Sequence, residues 1–346
     1  MPTAKAGASG RASTGKQSSA PKTPQKTSNP TVLEGAGTAY PHLYKTALAK
    51  IELSDAERIT HILQGGWMSL SSSAAFLAEM EQLLKLTGQT RPRNLLLLGP
   101  PNSGKTTILE RFEVNHPIDL NPDAECTTAT VVRIDCPDGP DRDALCIRLL
   151  EAVFAKFRPG DKYEIHLNSV RTIYGKIGTK IVIVDEIHNA LEGTLRQQKL
   201  FFNCLRNISN FTKLHFVFAG IPKATGLIGI DDQMTSRFKP FRLPEWVPGA
   251  GMGQLLATLE SRMPLKLPSD LKSPEKMEAI YKRAGSRLGD IIDLVQSCGV
   301  EAIRAASKPD GSGKSKVKED ISLTLIKNLA WSAPSDRESI DRFTQL

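Results

Sequence analysis

Apolar residues are spaced differently in successive parts of this chain. From His42 to Leu86 they recur at helical intervals. "SDAERITHIL" opens with Ser54, a good N-cap. Glu57 follows three residues later as its capping-box partner, and Ile59, Ile62 and Leu63 form the stripe. A second helix is expected over Ser72–Leu86, with Ala75, Leu77, Met80, Leu83 and Leu84 facing inward. Between the two stands "GGWMS", where Trp67 is expected to anchor the turn.

The spacing then changes to short unbroken apolar runs: Leu95–Leu98, Thr130–Asp135, Lys180–Val184, Leu214–Ala219 and a short last one at Phe241–Leu243. Unbroken runs of this length suit strands buried on both faces. Helical patterns at Asp141–Phe154 and Thr194–Leu205 alternate with them. The alternation predicts an α/β fold with a parallel sheet. Past Trp246 the strands stop, and helices are expected at about Met252–Arg262, Pro274–Ala284, Arg287–Ala306 and Ile321–Ala330. No internal repeat is visible.

These shifts divide the chain. Residues 1–33 read as a disordered basic tail, whose only charges before Glu34 are Lys5, Arg11, Lys16, Lys22 and Lys26. It is either a solubilising leader or an arm that touches phosphates. Residues 34–92 form a helical extension, 93–247 the α/β domain, 248–306 a small helical domain, 307–319 a flexible linker and 320–346 a C-terminal helix and tail.

Composition adds a little. The chain has 346 residues, 40% of them hydrophobic, enough for one large or two small domains. A formal charge of +8 favours acidic partners, nucleic acid first, though a basic tail alone would also produce it. Five cysteines, with no C-x-x-C pair, argue against a disulfide framework or a zinc site and for a reducing cytoplasm. No apolar run is long enough to span a membrane and no secretory h-region stands at the N-terminus, so no membrane partner is expected.

The candidate chemistry begins after the first strand run. Gly99, Pro100, Pro101, Asn102, Ser103, Gly104, Lys105 and Thr106 fit G-x-x-x-x-G-K-[ST] in full, and Thr107 opens the following helix with them. Phosphate oxygens are held by converging backbone N–H groups, so side chains must stay clear and glycines serve. The helix N-terminus adds partial positive charge. Lys105 would reach the β- and γ-phosphates of ATP, and the Thr106 hydroxyl would ligate Mg²⁺. "GSGKS" at Gly311–Ser315 is a decoy: Lys308 stands where the first Gly belongs, and no apolar strand precedes it.

Hydrolysis also needs an anchored Mg²⁺ and an oriented water. "IVIVDEIH" puts Asp185 and Glu186 at the carboxyl end of a strand, where open α/β sheets bind ligands. Asp185 would hold the metal and Glu186 would act as general base; a pair of solvated acids is the plainer reading. His188 reads as a packed or surface histidine, or as a contact to the γ-phosphate or to a neighbour.

At this point the residues resemble a known family. "RPRNLLLLGPPNSGKTTILERF", "VVRIDCPDGPD", "IVIVDEIHNALEGTLRQQKLFFNCLRNIS", "FAGIPKA" and "DDQMTSRFKPFRLPEW" appear in order. Together they are similar to the TniB/TnsC group of AAA+ transposition ATPases, more distantly to the phage Mu B protein, over about His42 to Leu294. The resemblance implies an AAA+ P-loop NTPase with a helical lid. It implies ATP-dependent rings or helical filaments of the protein itself on double-stranded DNA. It also implies coupling between a target-selection protein and an integrase-type transposase, with ATP hydrolysis driving disassembly. Two other readings stand beside it: a scaffold gated by ATP, and an initiator or loader with no transposase role.

The family pattern places an arginine finger at Arg237 in "SRF", where the plainer reading is a surface salt bridge. Two positions depart from it. Ala219 and Gly220 stand where many AAA+ proteins carry a polar sensor, and Ile292 lies near where a second sensor arginine belongs, with Arg287 close by. Slow turnover is the expectation if both sensors are lacking. Within a ring, DNA phosphates would meet Lys156, Arg158, Lys162, Arg171 and Lys176, in the long insert between the second and third strands. A charged helix face would look the same.

Overall fold

The computed structural model describes residues 39–86, 91–119, 127–228, 236–308 and 317–333. The proposed basic tail, Cys126, the decoy at Gly311–Ser315 and the end of the chain past Ala333 lie outside the described residues.

Five strands form one parallel sheet: β1 (Asn94–Leu98), β2 (Val131–Asp135), β3 (Ile181–Asp185), β4 (His215–Gly220) and β5 (Phe238–Arg242), in the order β2-β3-β4-β1-β5. β1, β3 and β4 are buried at every position, which explains why their sequences do not alternate. The last strand starts earlier than its sequence suggests. "FKPFR" is half polar because β5 is an edge strand, where Pro240 is tolerated.

Period-two geometry sends the two halves of each strand into different cores. Leu96, Leu98, Val182, Val184, Phe216 and Phe218 share one apolar cluster with residues of α5 (Arg142–Ala152), α6 (Tyr163–Lys176) and α7 (Leu195–Thr212). Leu95, Leu97, Ile181, Ile183, Val217 and Ala219 meet α3 (Ser71–Lys85) and α4 (Lys105–Asn115) on the other face. Two short helices, α1 (Lys45–Leu48) and α8 (Thr225–Ile228), are also among the described residues before the last strand.

α6 is an element that the strand-and-helix alternation does not show. Its buried face is Leu167 and Val170 together with His166 and Tyr174, so the apolar stripe is diluted by polar residue types. His166 is 1% exposed, and both its ring nitrogens face acceptors: Nδ1 lies 2.7 Å from Asp143 Oδ1 and Nε2 lies 3.0 Å from the Arg158 carbonyl. A doubly protonated ring satisfies both. The bond to Asp143 holds its pKa above the ordinary histidine value, against the effect of burial. This contribution to stability is therefore complete below about pH 6.5 and disappears as pH rises through the higher folded-state pKa. The difference in Tm between wild type and His166→Gln should shrink across that window. A difference that stays flat or grows with pH would contradict the doubly protonated ring.

A third cluster lies after the sheet. It contains α9 (Ala250–Arg262), α10 (Pro274–Ala284), α11 (Leu288–Ser307) and α12 (Leu323–Asn328). Ile59 and Ile62 of α2 (Asp55–Gln64), along with Met68 and Leu70, pack into the same core. The division at 34–92, 248–306 and 320–346 therefore does not correspond to three separate cores. The extension splits, α2 joining the helical domain and α3 the sheet.

A buried ion pair locks this arrangement. Arg58 on α2 is 1% exposed; its Nη1 donates to Glu319 Oε1 at 2.5 Å and to the Pro264 carbonyl at 2.9 Å. Glu319→Ala removes the buried one of its two carboxylate partners, leaving the half-exposed Asp55 at 2.7 Å from Nη2, and should cost about 3 kcal/mol, the low end for a broken buried pair. Denaturant melts would measure this, and a loss below about 1 kcal/mol, typical of an exposed pair, would refute it.

Candidate active site

Three strand ends build the site. β1 runs into the glycine loop, β3 ends on Asp185, and β4 lies between them. Gly104 takes φ +84, a conformation that leads directly into α4 at Lys105. At Gly99 an added Cβ would lie 2.5 Å from Ser103 Oγ, so the loop closes tightly enough to require glycine. Asn102 sits at the apex with φ +59.

Lys105 is 5% exposed, and its ammonium donates to the Gly99 and Pro100 carbonyls at 3.1 and 3.0 Å. Burial pulls its pKa below the usual lysine range, opposed by the charges of Glu186 and Asp185. Thr106 Oγ1 donates to Asp185 Oδ2 at 2.8 Å across 79 residues of sequence. Asp185 Oδ1 accepts from the Glu186 backbone N–H at 2.8 Å. The sequence motifs thus meet: the Thr106 hydroxyl bonds the buried Asp185 carboxylate, and the buried Lys105 ammonium is near enough to Glu186 and Asp185 to feel their charge. A hydroxyl and a carboxylate in contact make a hard-oxygen donor set of the kind Mg²⁺ takes. Ser103 Oγ is shut off from solvent with no hydrogen-bond partner, in a loop shaped for oxygen anions.

Beside the loop is a cavity of about 180 Å³. Trp67, Met68, Thr107, Trp246, Leu288 and Ile292 are among its lining residues. Trp67 therefore does more than anchor a turn. Arg262 Nη1 donates to its carbonyl at 2.7 Å, and Arg111 stands 5.8 Å over its ring. The helical domain also touches the loop directly. Gly289 N donates to the Asn102 carbonyl at 2.9 Å, and Asn102 Nδ2 donates to Asp290 Oδ1 at 2.7 Å. Sequence reasoning missed this contact. The glycine of "SRLGDI" was the one signal, since a Cβ on Gly289 would collide with the Asn102 side chain.

Arg237 is elsewhere. β5 is parallel to β1 with Asn94 opposite Phe238, so Arg237 lies at the amino end of the sheet. The phosphate loop is at the carboxyl end, about 16 Å away along a five-residue strand. Arg237 Nη1 donates to Asn210 Oδ1 of α7 at 2.9 Å. It is not part of its own chain's loop site.

The five candidate DNA contacts are scattered. Lys156 and Arg158 are exposed in the connector after α5, Lys162 precedes α6, and Lys176 ends it, about 20 Å farther on. Arg171 is engaged within the chain, bonded to Asn207 and standing 5.1 Å over the Phe211 ring. Glu151, Asp161 and Glu164 interleave with these cations, so the insert is not a surface of one sign.

A family model described as "Bacterial TniB protein" matches residues 58–248. The chain belongs to the TniB family. The TniB match spans the phosphate loop, Asp185, Glu186 and Arg237. The fold is that of an AAA+ P-loop NTPase: a parallel sheet with the phosphate loop after β1, then a small helical lid.

Among solved structures, the Aeropyrum pernix ORC2 protein in ADPNP-ADP complexes is 12% identical, with a TM-score of 0.46 over 72% of this chain and 66% of that one. Cdc6p from Pyrobaculum aerophilum is 17% identical, with a TM-score of 0.46 over 72% and 65%. Drosophila ORC bound to GC-rich DNA and Cdc6 is 12% identical, with a TM-score of 0.48 over 80% and 45%. This TniB chain thus spans about two thirds of the length of the two archaeal structures. No curated protein sequence matches it. No helix among the described residues is long and apolar enough to cross a membrane.

Proposed function

We propose that this TniB-family chain is a cytoplasmic ATPase that assembles on double-stranded DNA and regulates transposition. It links a target-selection protein to an integrase-type transposase, and ATP hydrolysis drives its release. The observation that carries this reading is the separation of Arg237 from the contiguous Lys105, Thr106, Asp185 and Glu186. In this reading a second subunit's Arg237 completes the site, so nucleotide and assembly are coupled.

In this mechanism the backbone N–H groups from Asn102 to Thr107 turn toward the phosphates, and Pro100 and Pro101 shape the turn without donating. Lys105 exchanges its carbonyl partners, Gly99 and Pro100, for β- and γ-phosphate oxygens. The base occupies the cavity lined by Trp67, Met68 and Ile292. Thr106 and Asp185 would hold Mg²⁺, which would supply charge neutralisation at the phosphates. Glu186 takes the proton of the attacking water. Arg237 of the neighbouring copy spreads its charge over the transferring phosphoryl group. Gly220 and Ile292 offer no polar sensor, which favours slow turnover. DNA phosphates meet the exposed cations Lys156, Arg158, Lys162 and Lys176, with Arg171 joining only if it leaves Asn207.

Negative-stain imaging with duplex DNA tests the reading. Rings or filaments should form with DNA and a non-hydrolysable ATP analogue together, and not with either alone. A monomer under all conditions, or a Lys105→Ala protein that coats DNA as wild type does, would overturn it.

A further inference from the structure

Glu186 lies in a left-handed backbone conformation, φ +49 and ψ +37. For a residue with a Cβ this costs about 1–2 kcal/mol and is kept only where surrounding contacts impose it. Two bonds do so here. Glu186 N donates to Asp185 Oδ1 at 2.8 Å, and Asn189 N donates to the Glu186 carbonyl at 3.0 Å. The chain then enters a 3-10 turn, Ile187–Leu191, which brings His188 back beside the carboxylate.

His188 Nδ1 lies 2.9 Å from Glu186 Oε2. The contact is short but off the hydrogen-bond line: both atoms are shut off from solvent and neither has an aligned partner. The turn can sit there because β4 ends in glycine. A Cβ on Gly220 would come within 3.1 Å of Ile187 Cγ2, 3.2 Å of Ala224 Cβ and 3.5 Å of His188 N. A side chain at this strand end would crowd the turn that carries His188.

We infer that His188 is a positioning residue for Glu186: its Nδ1–H aims the carboxylate at the attacking water, and Gly220 is the vacancy that admits it. This rests on the general-base reading of Glu186 given above. The missing polar group at the end of β4 is thus replaced by one donated from the β3 turn. The off-line contact becomes a full hydrogen bond when the site closes, as catalytic bonds commonly do.

Steady-state ATP turnover with duplex DNA tests this in four single variants, His188→Ala, His188→Asn, His188→Gln and Glu186→Gln, and in one double variant. His188→Ala should lower kcat by about tenfold to a hundredfold, the scale of a misaimed catalytic group, with KM unchanged. Asparagine places an amide N–H where Nδ1 stands and should restore most of the rate. Glutamine places its amide nearer the position of Nε2 and should not. Adding His188→Ala to Glu186→Gln should bring no further loss. Wild-type kcat in His188→Ala, a change confined to KM, or equal rescue by asparagine and glutamine would overturn the inference while Glu186→Gln remains inactive. Full turnover in Glu186→Gln would instead remove the general-base reading, and this inference with it. Asparagine rescue also shows that the substituted chain folds.

Discussion

Arg237→Ala is expected to cut ATP turnover about 10³- to 10⁵-fold, the range seen for arginine fingers. Nucleotide affinity of the isolated subunit should not change, because the side chain lies a strand's length from its own phosphate loop. Equilibrium binding of a fluorescent ATP analogue and steady-state turnover on duplex DNA separate the two effects. Lysine at this position should fail as well, since it lacks the planar fork. Mixing gives a sharper result. Subunits with Arg237→Ala keep Glu186, and subunits with Glu186→Gln keep Arg237. An equimolar mixture should regain about a quarter of wild-type interfaces and a matching share of turnover. If the mixture is as inactive as either variant, the two residues do not complete one another across subunits.

Glu186→Gln should lower turnover about 10²- to 10⁴-fold, the contribution expected of a positioned general base. The amide keeps the size of the carboxylate but cannot accept the water's proton. Thr106 and Asp185 remain bonded to each other at 2.8 Å, so binding should persist. Assemblies formed on DNA with ATP should then outlast those of wild type, which light scattering after dilution would follow. Disassembly at the wild-type rate would show that hydrolysis is not the switch, and would favour a scaffold gated by ATP alone.

The sheet was legible because its inner strands are buried on both faces and so spell unbroken apolar runs. The phosphate loop was legible because backbone donors demand glycines at fixed spacing. α6 was not, since half its buried face is His166 and Tyr174, whose polar atoms are satisfied inside the protein. The start of β5 was hidden by the tolerance of an edge strand for Lys239 and Pro240. Arg58 is not in the apolar stripe of Ile59, Ile62 and Leu63, and only tertiary contact with Glu319 shows that it is core. Arg171 looked available for phosphate, yet its guanidinium already binds Asn207. For His188, the residue type suggested chemistry, but the space that admits its turn is set by Gly220, more than thirty positions later.

The Arg58–Glu319 pair also has a mechanical consequence. It ties a helix early in the chain to a segment near its far end, and both belong to the lid that touches Asn102. The lid therefore cannot be cut out as a contiguous piece of sequence.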